Sequence, residues 1–134
     1  MLTRIAFSAA LLVNTANAAF AQDLSQARKR AETLVGKTCR ATFPDEVVWL
    51  MEFGQIKHHP EKDGVRVRFK MSSYTRGIPD HNPTGVASIL VLNSGPVTFH
   101  FSGGDELSSN GNFSNFQGTV PTYAGNHPRA NLIC

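Results

Sequence analysis

The stretch that decides the fold reads Val86-Ala87-Ser88-Ile89-Leu90-Val91-Leu92, then Asn93-Ser94-Gly95-Pro96, then Val97-Thr98-Phe99-His100-Phe101-Ser102. Two β-rich runs around an Asn-Ser-Gly-Pro break predict a hairpin within Gly85–Gly103. The first run is apolar on both faces, which places it deep in a sheet. The second alternates, with Val97, Phe99 and Phe101 to one side and Thr98, His100 and Ser102 to the other.

Similar runs lie upstream. Val65, Val67, Phe69 and Met71 alternate with Arg66, Arg68 and Lys70, so one face is apolar and the other cationic. Val47, Trp49, Met51 and Phe53 share a side, and Val48 and Leu50 take the other. Thr38–Phe43 groups Cys39 with Ala41 and Phe43, and Arg129–Cys134 reads as a short last strand. Gly103–Gly118 is rich in Gly, Ser and Asn and reads as a long loop with one short strand.

One segment has helical period. Over Gln22–Val35, Leu24, Ala27, Ala31, Leu34 and Val35 fall on one face. Asp23 with Gln26 forms a capping-box pattern, and Gly36 suits the stop. Arg28, Lys29, Arg30 and Glu32 point outward as a solvated face. The expected fold is therefore mainly β with one N-terminal helix. Its form is a small antiparallel β-barrel or sandwich of six or seven strands, with the helix packed against it.

The first residues read differently. Arg4, the apolar block Ile5–Val13 and the small-x-small pattern Ala19-Phe20-Ala21 form a secretory signal peptide, too short to span a membrane. The expected division is a signal peptide over 1–21 and a single domain over 22–134, without a later transmembrane segment. Localisation is then periplasmic or secreted. The chain holds two cysteines, Cys39 and Cys134. In an exported chain they predict one disulfide, which staples the first strand to the last. The formal net charge of +3 falls by one when Arg4 is removed, too little to argue for nucleic acid.

Candidate chemistry is sparse. No short hydrolase, phosphate-loop or metalloprotease motif occurs. Of the five histidines, a simple meander brings together only His58, His59 and His127, with Glu61 or Asp63 as a fourth metal ligand. His81 falls on a separate loop. His100 with Glu52 is the candidate catalytic pair, since a general base needs a carboxylate or nucleophile within reach. In both cases the simpler reading is exposed histidines without a ligand, so neither a metal nor another cofactor is expected. The ladder Arg66, Arg68 and Lys70 is suited to phosphate or carboxylate groups. The polar Gly103–Gly118 segment, with Phe113 and Phe116, is the candidate binding loop. The expectation is a non-catalytic binding or interaction protein for an envelope component or a protein partner, as a monomer or small homo-oligomer. A small hydrolase and an enzyme inhibitor presenting one loop are the alternatives.

Overall fold

The computed structural model describes residues 22–80, 86–121 and 125–134. Residues 1–21, for which a signal peptide is expected, and His81 lie outside them. Helix α1 (Ser25–Leu34) leads into nine strands: β1 (Thr38–Phe43), β2 (Val47–Ile56), β3 (Gly64–Thr75), β4 (Ile78–Pro79), β5 (Val86–Leu92), β6 (Thr98–His100), β7 (Glu106–Ser109), β8 (Asn115–Thr119) and β9 (Arg129–Ile133). All pairings are antiparallel, in the order β4-β3-β2-β1-β9-β8-β7-β6, with β5 also on β3. The sheet curls into a half-barrel.

The strand count exceeds the expected six or seven for local reasons. The Gly103–Gly118 segment folds as the β7–β8 hairpin rather than a long loop. Asn110 closes its turn, its Oδ1 accepting from the Ser114 amide at 2.8 Å. At Gly118 the hairpin comes so close that a Cβ would stand 1.8 Å from the Glu106 carbonyl oxygen. Only glycine allows that approach.

β3 is the spine. One edge pairs with β2 from Val47↔Thr75 to Ile56↔Val67, and the other with β5 from Gly64↔Leu92 to Lys70↔Val86. Its alternation holds: Val65, Val67, Phe69 and Met71 are buried, and Arg68 and Lys70 are exposed. The inward side chains of β2 and β3 meet Leu107, Phe116 and Leu132 in one core. An aromatic chain crosses it. Trp49 meets Phe101 at 6.0 Å, Phe101 meets Phe99 at 4.7 Å, and Phe99 meets Phe69 at 4.9 Å between centroids. These are edge-to-face contacts, the arrangement the ring quadrupole favours.

α1 packs on β3, β5 and β2 through Ala27, Ala31 and Leu34. The two alanines keep the helix axis close to the sheet. The helix is shorter than the expected Gln22–Val35 because both ends are held. Asp23 Oδ1 accepts from the Ser25 amide at 2.9 Å, so the capping box with Gln26 does not form. Asn93, distant in sequence, takes the capping role instead. Its Oδ1 accepts from the Ala27 amide at 2.9 Å and its Nδ2 donates to the Asp23 carbonyl at 2.8 Å. Gly36, at φ 81°, turns the chain out, and its amide donates to the Phe53 carbonyl at 3.0 Å.

That cap explains why the expected β5–β6 hairpin is absent: β5 pairs with β3, and β6 with β7. The Asn93–Pro96 segment serves the helix N-terminus. Arg30 also donates to the Leu92 carbonyl at 2.5 Å and to the Gly95 carbonyl. With those backbone groups engaged by α1, the two strands splay. β5 has β3 as its only strand partner among the described residues, so it is not deep in the sheet.

Cys39 and Cys134 are bonded, with Cα atoms 3.8 Å apart, beside the β1–β9 register pair Arg40↔Ile133. The first and last strands of the domain are neighbours, as the two cysteines predict.

Candidate functional site

The outer face of β2 and β3 carries the cationic ladder. The register runs Phe53↔Phe69 and then Ile56↔Val67, so β2 holds one more residue than β3 there. Such a bulge bends its strand and re-aims side chains. Here it opens a groove of about 360 Å³. Arg68 and Lys70 enter it from β3, Glu52 from β2, and Lys57 and His58 from the start of the β2–β3 loop. All five are exposed. Three fixed cations and a histidine thus surround one carboxylate, which suits a carboxylate or phosphate group. The loop is held by the Lys57 amide to the Arg66 carbonyl and the Glu61 amide to the Gly64 carbonyl, both at 2.9 Å.

The third member of the ladder stands apart. Arg66 donates to Glu61, and its Nη1 reaches the Ser88 carbonyl at 3.5 Å. It braces the loop rather than lining the groove.

The other candidates disperse. His127 is not at the end of His58 and His59. β9 runs antiparallel to β1 with Ile133 opposite Arg40, so Arg129 and the turn before it lie at the Pro44 end of the sheet. The β2–β3 loop is at the opposite end, roughly 30 Å away along a strand of β2's length. Four strands in place of the expected three between Val86 and Thr119 reverse the direction in which the last strand runs. Among the described residues no group of three or more His, Cys, Asp or Glu is placed to hold a metal. His100 Nδ1 lies 3.2 Å from Glu106 on β7, both well exposed, and Glu52 is on the non-adjacent β2. The two residues of the proposed catalytic pair do not meet. Phe113 and Phe116 are buried to 2% and 0% exposure, so they pin the β7–β8 hairpin to the core. Arg30 covers the Phe113 ring at 5.0 Å and Lys37 Nζ donates to the Phe113 carbonyl at 3.2 Å.

Sequence reading missed a carboxylate at the Pro44 end. Asp105 is 6% exposed. Thr119 Oγ1 donates to its Oδ1 at 2.6 Å, and His127 Nδ1 lies 2.7 Å from its Oδ2. The Thr119 bond holds the Asp105 carboxyl below its ordinary 3.8; burial opposes this, and His127 adds to it. The group ties the β6–β7 turn to the end of β8 and the approach to β9. Its three members are spread over 22 positions, so no local motif could reveal it.

Scans against protein-family models, curated proteins and solved structures each return no match to this chain.

Proposed function

We propose that this is an exported, non-catalytic binding protein that holds anionic groups of an envelope component or a partner protein in the β2–β3 bulge groove. The observation that carries the reading is the convergence of Lys57, His58, Arg68 and Lys70 on one 360 Å³ opening. The disulfide fits an oxidising compartment, and no helix among the described residues is long and apolar enough to cross a membrane. The signal-peptide pattern Arg4, Ile5–Val13 and Ala19-Phe20-Ala21 supports export, with a mature N-terminus at Gln22.

The test uses the protein purified from the envelope fraction, its N-terminus read by sequencing. A short Glu-Ser peptide is titrated at low salt and amide shifts are followed by NMR. The shifts should centre on Lys57, Arg68 and Lys70 and fade as salt rises. Replacing Arg68 and Lys70 by Gln should weaken binding about tenfold, or about 1.4 kcal/mol, while changing stability by only about 0.5 kcal/mol. Unchanged binding in the variant sinks the assignment.

A further inference from the structure

A second groove, of about 690 Å³, opens on the same outer face at the Pro44 end. Its floor is Val48, Leu50 and Tyr74, each half-buried on a face where the alternation places polar residues elsewhere. Exposed Arg40 and Arg76 stand beside it. Ile133, 63% exposed, pairs with Arg40 and widens the apolar surface.

The rim is unusual in its backbone. Asp45 (φ 66°), Glu46 (φ 60°) and Arg76 (φ 52°) are three of the four described non-glycine residues with left-handed φ. The Arg76 amide donates to the Glu46 carbonyl at 3.0 Å, which locks the two turns together. Side chains hold this conformation only where the surroundings enforce it, and such residues concentrate at binding sites. The Arg76–Glu46 ion pair is loose, at 3.8 Å with both groups about three-quarters exposed, so Arg76 can exchange partners.

The two grooves are consecutive along the strands. On β2, Leu50 belongs to one and Glu52 to the other; on β3, Tyr74 belongs to one, and Lys70 and Arg68 to the other. From Val48 to Ile56 the track is about 26 Å long at ~3.3 Å per residue. Its cations are Arg40, Arg76, Lys70, Arg68 and Lys57; its acids are Glu46 and Glu52.

We infer that the partner is an extended acidic polypeptide segment that runs along this track. Its carboxylates meet the bulge groove at one end and Arg40 and Arg76 at the other, and an apolar side chain rests on Val48, Leu50 and Tyr74. The apolar floor favours a polypeptide over an acidic polysaccharide. Tyr and Arg are also the residues that anchor protein interfaces. This inference rests on the bulge-groove reading and adds its second contact.

Length dependence tests it. The probes are a peptide of about twelve residues, roughly 40 Å extended, its two halves as separate peptides, and polygalacturonate. One half alternates Glu with Ser, the other Glu with Leu. The long peptide should bind at least about tenfold tighter than either half, because the second contact becomes intramolecular. It should shift amides near both Lys70 and Tyr74. Arg40→Gln with Arg76→Gln should reduce it to the affinity of the Glu-Ser half. If the long peptide binds no tighter than the Glu-Ser half, and shifts stay near Arg68 and Lys70, the track is overturned while the bulge groove stands. If no acidic probe binds, both fall. Polygalacturonate engaging both grooves as tightly as the long peptide would overturn a polypeptide as the occupant.

Discussion

Asp105 shows how one buried side chain ties distant segments together. Its carboxylate receives Thr119 from β8 and faces His127 from the approach to β9. Its proton affinity is lowered in the folded chain, so the unfolded chain binds the proton more readily. The resulting stability is present above the ordinary value of 3.8 and is lost as pH falls through the lowered one. The urea midpoint should therefore drop below about pH 4. In Asp105→Asn the difference between midpoints at neutral and acid pH should be smaller, because one acid-sensitive group is gone. An identical acid drop in both proteins would show that this carboxylate carries none of it. Nothing in the sequence around Asp105 marks it, because its partners come from other strands.

At the scale of elements, α1 and the β5–β6 connection depend on each other. Asn93→Ala removes the acceptor for the Ala27 amide and the donor to the Asp23 carbonyl. Loss of a capping side chain costs about 1 kcal/mol, and urea denaturation with circular dichroism should show that loss with an unchanged slope. A neutral result would mean that Arg30 and the Ala27, Ala31 and Leu34 contacts hold the helix unaided. The same junction marks where local reading ends. The inward and outward faces of β2, β3 and β6 were legible, since period-two burial is written in the residues themselves. Strand partners were not. The Asn93–Pro96 segment carries ordinary turn chemistry, and its use as a helix cap depends on α1, more than 60 positions earlier. The site was half legible for the same reason. The cations of β3 were visible, as were Val48 and Leu50 on the outward side. The bulge that turns Arg68 and Lys70 into a groove, and the turns that bring Arg76 beside Tyr74, arise only from pairing.

The whole molecule is governed by the bond between β1 and β9. Its loop spans 95 positions, for which the chain-entropy treatment gives about 4–5 kcal/mol, comparable with the stability of a small domain. Reduction should lower the unfolding free energy by most of that amount, measured by urea denaturation with and without dithiothreitol. A fall under about 1 kcal/mol would mean that the sheet closes its own register. The bond also has a consequence for cleavage. Every strand after Cys39 lies within one covalent ring, including the exposed Lys57–Asp63 loop beside the bulge groove. A protease that cuts that loop once leaves two pieces still joined through Cys39 and Cys134. The severed ends cannot diffuse apart, β2 and β3 remain at high effective concentration, and the nicked protein can keep its binding face intact.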